Sequence, residues 1–293
     1  MTRDRPAVLV YLSCIRYREV LVLQGSPLLG VACTMGELTG PKILTLLVFA
    51  VASFLLVAHI FSFNDWAGIA SDSKDPNKSA EVFLTKGLSP QEVMGLSFAL
   101  LALSLGLFTM LPRQTLLLAV AVTVLGLFYS HPATNAKAVP VLSSAPHLVG
   151  GILHFLLGYS LFGGIDRRGF MLALFFALTF TAGHLNQEVR DHDGDRLSGL
   201  ATNAVRFGRR AAFLAGLAIF TLAYADLALL ALSGVIPAWL VWLPLVLYPI
   251  HLVWSVRTLA AGLGFDTVSR FQTRYRLLYA VMGVVLLAAL VTR

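Results

Sequence analysis

The sequence predicts an all-α, polytopic membrane protein with about nine transmembrane helices in a bundle. Three observations carry that reading. Hydrophobic residues make up 57% of the 293 and charged residues only 13%, with a mean hydropathy of +0.79; a water-soluble domain of this size needs far more polar surface. Apolar runs of the roughly 20 residues that cross a bilayer recur along the whole chain. None shows the period-two alternation of a barrel strand, so the backbone polar groups must be satisfied within helices.

The runs fall near 20–36, 41–63, 91–111, 114–130, 147–165, 169–187, 211–232, 236–256 and 275–292. Residues 1–18 precede them. Their apolar stretch, AVLVYLSCI, is followed by Arg16, Arg18 and Glu19 rather than a small-residue cleavage site, so an interfacial N-terminal segment fits better than a signal peptide. No linker or low-complexity tail divides the chain, which reads as one transmembrane domain over 1–293. Cys14 and Cys33 read as small apolar side chains, not as a disulfide framework.

A pI of about 9.7 invites a nucleic-acid reading. Sorting the cations by loop removes it. With the N-terminus in the cytoplasm, that side receives Arg3, Arg5, Arg16, Arg18, Lys74, Lys78, Lys86, Lys137, Arg190, Arg196, Arg206, Arg209, Arg210, Arg257, Arg270, Arg274 and Arg276. The other side keeps Lys42, Arg113, Arg167, Arg168 and Arg293. This is the positive-inside pattern of a multi-pass protein, with no nucleic-acid partner implied. The loops are lopsided in the same sense. Those near 64–90, 131–146, 188–210 and 257–274 are long and polar, whereas "LPR" at 111–113 and "SGVIP" at 233–237 are short.

Polar chemistry therefore gathers at one face. In "DHDGD", Asp191 and Asp195 are four apart, which on a helix puts both carboxylates on one side, one turn apart. Such like charges repel, and a divalent cation offsets the cost; Mg²⁺ prefers few carboxylates together with phosphate oxygens. His184 and Glu188 lie two turns and one turn back on a similar face, while Asp193 points elsewhere. The second acid-rich stretch, "FNDWAGIASDSKDPNKS", carries Asn64, Asp65, Asp72 and Asp75. Asn64 and Asp72 are ~12 Å apart along an ideal helix, so they share one ion only if the chain bends, and Gly68 sits midway. The third stretch, "FYSHPATNAKAVP", ends a span at Tyr129 and offers Lys137 to phosphate oxygens. Asp226, a lone acid inside a span, reads as a packing residue away from this face.

These motifs together resemble the UbiA family of intramembrane prenyltransferases. The family's second motif, D-x-x-G-D-R-x-x-G followed by T and V-R-x-G, stands here as Asp191, Gly194, Asp195, Arg196, Gly199, Thr202, Val205, Arg206 and Gly208. The first, N-D-x-x-D-x-x-x-D, stands as Asn64, Asp65, Gly68 and Asp72, departing from the pattern at Gly68. The Arg-Pro that usually follows is replaced by "KSAEVFLTKGLS". "YSHPATNAK" is similar to the loop of chlorophyll synthases and archaeal lipid prenyltransferases, and "VLVLQGSPLLG" to the family's first span.

The resemblance implies an enzyme that moves a polyprenyl group from a prenyl diphosphate to a lipophilic acceptor, aromatic or quinone-precursor in kind. It implies Mg²⁺ held by Asn64, Asp72, Asp191 and Asp195, with Asp191, Asp195 and Lys137 as catalytic groups. Asp65, Tyr129, Lys137, Glu188, Arg196 and Arg206 would contact substrate. The general base stays open among Asp65, Glu188 and His192. The setting implied is a bacterial inner membrane, with the site facing the cytoplasm. A membrane terpene cyclase and a non-catalytic or transport protein on the same scaffold are the alternatives. Orientation is checked by labelling. A cysteine at Ser198 should react only with reagents that reach the cytoplasm and one at Gly234 only from the opposite side; labelling of both from one side contradicts the topology.

Overall fold

The computed structural model describes residues 7–291, and among them every regular element is a helix. Arg3, Arg5, Arg293 and the first six residues of the expected interfacial segment lie outside that range. The order is α1 (Ala7–Leu12), α2 (Tyr17–Leu23), α3 (Gly25–Thr34), α4 (Gly40–Asp72), α5 (Pro90–Phe108), α6 (Arg113–Ser130), α7 (Ala145–Tyr159), α8 (Arg167–Leu197), α9 (Asn203–Phe207), α10 (Arg209–Leu232), α11 (Trp242–Ala260) and α12 (Phe265–Val291). Short 3₁₀ turns lie at Phe83–Lys86, Ala136–Ala138 and Ala238–Val241.

Seven of these helices are long and apolar enough to cross a membrane: α4, α5, α6, α8, α10, α11 with its preceding 3₁₀ turn, and α12. The protein is an integral membrane protein. The two remaining apolar runs take shorter helices. The first is divided at Gln24 into α2 and α3; the second gives the 15-residue α7. These short elements pack on each other backbone to backbone. A Cβ on Gly158 would stand 1.8 Å from the Pro27 carbonyl oxygen, and one on Gly30 would stand 2.4 Å from that of Phe155. On α7, Gly151 makes the same close approach to Ala177 of α8, at 2.5 Å from its Cα. Small residues let apolar helices approach until dispersion holds them, which is how helices associate in lipid.

Beyond the apolar runs, α4 and α8 keep going. At 33 and 31 residues they are about 50 and 46 Å long at 1.5 Å per residue, well past a hydrocarbon core of about 30 Å. The sequence reading ends these spans at 63 and 187. The helices continue through nine and ten further residues because their charged side chains find partners at the bundle end, described below. The α4–α5 pair is pinned by small hydroxyls: Ser97 Oγ donates to the His59 carbonyl (3.2 Å) and Ser104 Oγ to that of Ala52 (2.7 Å). A core of Phe49, Leu56, Phe108, Phe155, Leu157 and Leu227 fills the centre.

The α3–α7 contact generates a stability prediction. Gly158→Val puts a branched side chain into the Pro27 backbone, where nothing flexible can yield. It should lower the thermal midpoint sharply or abolish recovery of folded protein, whereas Gly164→Ala, facing open space, should leave both unchanged. Wild-type stability in Gly158→Val would contradict the packing.

Candidate active site at the ends of α4, α6 and α8

Two acidic segments far apart in sequence meet at one end of the bundle. Asp75, in the turn after α4, is 3% exposed. Its carboxylate lies directly on Gly194 of α8, where a Cβ would be 2.1 Å from Asp75 Oδ2. Gly194 is therefore glycine because another chain segment occupies its side-chain space. Ser198 Oγ also donates to the Ser71 carbonyl at 3.1 Å. The Asp75 Oδ1 accepts from the Asn77 amide at 2.9 Å, which shapes the turn and brings Lys78 inward. Lys78 Nζ then sits 2.9 Å from Asp191, 3.8 Å from Asp75 and 3.9 Å from Asp72. Three carboxylates from two helix ends thus surround one ammonium. Burial lowers the Lys78 ammonium, but Asp191, Asp72 and Asp195 outweigh it and hold it above its ordinary value.

Asp191 is further clasped by Arg190, whose Nε and Nη2 donate at 2.6 and 2.9 Å while Nη1 reaches Gln272 of α12 at 3.0 Å. Asp195 accepts from Thr202 Oγ1 at 3.2 Å. Lys137 crosses from the loop after α6 to lie over Gly68; a Cβ there would be 3.3 Å from its Nζ and 3.2 Å from Asp72 Oδ2. Burial pulls the Lys137 ammonium below its ordinary value, against the pull of Asp72. A phosphate brought beside it would reverse that shift.

The residues expected at the site divide accordingly. Asp72, Asp191 and Lys137 sit at this end together, and Asp195 follows Asp191 by one turn of α8. Asn64 lies two turns back along the unbroken α4, where its Oδ1 accepts from Ser130 Oγ of α6 at 3.1 Å. Asp65 is held by Arg16, at 2.7 and 3.0 Å. Arg196 and Arg206 are exposed and form no ion pair with a described carboxylate. Asp193 turns away to Arg209 and His192. Asp226 is half-buried, with Oδ2 unpartnered, and no ion pair joins it to this end. Asp75 belongs to the acid-rich stretch already read from the sequence, whereas Lys78 and Arg190 are brought in only by the folded turn and the α8–α12 contact.

Just inside the acidic end lies a buried polar layer. On α8, His184, Glu188, Asp191 and Asp195 follow one another at spacings of four, three and four, a single stripe along one face. Glu188 Oε1 accepts from Ser143 Oγ at 2.8 Å and Asn203 Nδ2 at 3.2 Å, and lies 3.0 Å from His184 Nε2. The His184 ring stacks on that of His147 at 3.7 Å between centroids. Tyr129 stands edge-on to both, at 5.0 Å from His147 and 6.3 Å from His184. Further in, Phe180 touches His147 and Phe176 stacks on Phe155. Beyond them a narrow apolar void of about 20 Å³ lies among Leu29, Cys33, Phe155, Phe176, Leu227 and Leu286.

This geometry can be set beside known proteins. The sequence profile of the UbiA prenyltransferase family matches residues 26–271. The chain belongs to that family. It is 29% identical over 210 residues to the lycopene elongase/hydratase of Haloferax volcanii, a match covering 69% of this chain and 66% of the relative, so about a third of that relative's length is not spanned. Among solved structures it resembles a UbiA homolog from Archaeoglobus fulgidus bound to GPP and Mg²⁺ (TM-score 0.72, 17% identity, 97% of this chain and 100% of that one). It also resembles digeranylgeranylglyceryl phosphate synthase (TM-score 0.71, 18% identity, 98% and 99% covered). At those identities the likeness establishes the fold.

The family member's bound Mg²⁺ prompts a test of fit. Among the described residues no group of three His, Cys, Asp or Glu is already arranged around a metal position. Asp72, Asp75 and Asp191 nevertheless converge within 3.9 Å of one cationic nitrogen. Carboxylate oxygens are the donors a hard divalent ion takes, so the residues fit, with the Lys78 ammonium at the point of convergence. Removing that ammonium should expose the repulsion. Lys78→Met is expected to lower the thermal midpoint in EDTA by about 2–4 °C per kcal/mol lost, with a loss of about 1–3 kcal/mol for a partly buried charge stripped of its partner. Mg²⁺ should restore more stability to the variant than to the wild type. Equal midpoints in EDTA would show that the carboxylates do not repel.

Proposed function

We propose that this protein transfers a prenyl group from a prenyl diphosphate to a lipophilic acceptor dissolved in the membrane. One observation carries the reading. A single face of α8 runs from paired carboxylates, through a buried polar layer, to aromatic rings and the apolar core. A prenyl diphosphate has the same order of chemistry: an anionic head, a reacting allylic carbon and a hydrocarbon tail.

In this reading Asp72, Asp75, Asp191 and Asp195 hold Mg²⁺ against the diphosphate, and Asn64 belongs to the flank that orients α6. When bound, Mg²⁺ supplies positive charge to the departing diphosphate. Lys137 and Lys78 donate to phosphate oxygens and counter the charge that builds as the C–O bond breaks. Arg196 and Arg206, at the exposed rim, meet the incoming diphosphate. Asp65 orders the α2–α4 corner through Arg16 rather than contacting substrate. Tyr129 presents its ring beside the allylic carbon, where an aromatic face stabilises cationic character. The packed helices keep water from that carbon until the acceptor attacks. The bias of basic residues to the loops at this end supports a cytoplasmic orientation, and in this reading the chain is one domain in a bacterial inner membrane.

The aromatic or quinone-precursor acceptor competes with a polyene, which the 29% identity to a lycopene elongase/hydratase favours. The assay uses membranes carrying the protein, labelled dimethylallyl, geranyl and geranylgeranyl diphosphates, Mg²⁺, and either lycopene or an aromatic acid. The mass of the lipid product identifies both partners. A cyclic product without added acceptor would favour the cyclase, and no consumption of any diphosphate would overturn the enzymatic reading. EDTA should abolish turnover and Mg²⁺ should restore it. Asp191→Asn and Asp195→Asn should each cost about a hundredfold or more, about 2.7 kcal/mol of barrier, in protein that still folds; near-normal turnover in both would contradict the site.

A further inference from the structure

The buried layer beneath the carboxylates holds chemistry that diphosphate binding does not use. Glu188 is 4% exposed and His184 5%. Among the described residues no Lys or Arg lies within ion-pair distance of Glu188, in contrast to Asp191 three residues on. Its Oε1 is crowded by Ser143, Asn203 and His184, while Oε2 is shielded from water and has no hydrogen-bond partner. The His184 nitrogen lies 3.0 Å from Oε1 but off the line a hydrogen bond needs. On its other face the His184 ring is covered by His147, whose Nδ1 is 2.9 Å from the Ser143 carbonyl oxygen. The arrangement is a buried carboxylate with one committed and one free oxygen, backed by two stacked imidazoles.

Depth along α8 places the group. Glu188 precedes Asp191 by three residues, about 4.5 Å along the helix axis. It therefore lies at the level of a carbon attached to a diphosphate that the Asp191 end holds. Tyr129 and the imidazole pair lie at the same level. Asp191 is a poor proton acceptor by comparison, since its oxygens are taken by Lys78 and Arg190.

Prenyl transfer releases one proton whatever the acceptor. The C1–O bond breaks and its electron pair leaves with diphosphate. An electron pair of the acceptor forms the new bond to C1. The acceptor then carries one positive charge, discharged when a C–H or O–H bond gives its proton away and keeps its electrons; if water adds to that cation, the added oxygen loses the proton instead. No oxidant or reductant enters. On the reading of prenyl transfer above, we infer that Glu188 Oε2 takes up this proton. Asn203 and Ser143 are positioning residues that fix Oε1 and leave Oε2 available.

Glu188→Gln tests this with little change of shape, since the amide oxygen can still accept from Ser143 and Asn203. The measurements are equilibrium binding of labelled geranylgeranyl diphosphate with Mg²⁺, and the product split in membranes supplied with lycopene or an aromatic acid and given labelled dimethylallyl or geranylgeranyl diphosphate. The variant should bind the diphosphate within about threefold of wild type. Prenylated lipid should fall at least about a hundredfold, while the prenyl alcohol formed by water capture persists, so their ratio shifts by a similar factor. Glu188→Asp should recover part of the lost transfer. Transfer at the wild-type rate in Glu188→Gln overturns the inference and leaves prenyl transfer standing. Parallel loss of binding, alcohol and prenylated lipid also overturns it, because a strut would do the same. No prenylated lipid from the wild type, with either diphosphate, overturns both the inference and the transfer reading beneath it.

Discussion

Everything at the working end depends on putting carboxylates side by side and making that arrangement tolerable. Asp72, Asp75 and Asp191 come from two helix ends and lie within 3.9 Å of one nitrogen. Left alone they would drive α4 and α8 apart. The ammonium of Lys78 and the guanidinium of Arg190 offset the repulsion, and Gly194 gives Asp75 a place to lie. The same cations explain why both helices persist beyond the bilayer. Charged residues there are held by partners, not by burial of apolar surface. A site built this way is stable with a cation present and unstable without one, which suits a ligand that arrives as an anion with metal.

Beneath that end the bundle is dry and closely packed, and its glycines mark where. Gly30, Gly151 and Gly158 let α3, α7 and α8 approach to backbone contact. That contact fixes α7 and the turn before it, from which His147 and Ser143 meet His184 and Glu188. Fold and chemistry are coupled here: the 15-residue α7 packs on α8 through Gly151 and stacks His147 on His184.

Much of this was legible in the sequence. Composition and apolar runs predict the helical membrane bundle, because lipid leaves the backbone no other way to satisfy its polar groups. The i, i+4 spacing of Asp191 and Asp195, with Glu188 and His184 behind them, predicts one stripe, and α8 carries it as a continuous helix. Loop parity predicts that the segments after α4, α6 and α8 share one end, and they do. What could not be read is non-local. Helix ends at Asp72 and Leu197 lie beyond the apolar runs, since hydropathy reports the bilayer's edge rather than the helix's. Nothing local marks Asp75 as the group docked on Gly194, Lys78 as its neighbour, or Arg16 as the partner that draws Asp65 off. The contact of Asn64 with Ser130 of α6 is likewise non-local.

The central claim is that the converged carboxylates form the metal and diphosphate site, with Lys78 holding the position until a metal enters. A crystal or cryo-electron-microscopy structure with Mn²⁺ and a non-ionising thiolodiphosphate analogue tests it most directly. The account predicts metal among Asp72, Asp75, Asp191 and Asp195, the Lys78 ammonium moved from the carboxylates onto the diphosphate, and the first prenyl carbon at the level of Glu188. Metal bound elsewhere, or Lys78 still seated between Asp75 and Asp191 with the analogue in place, would contradict it.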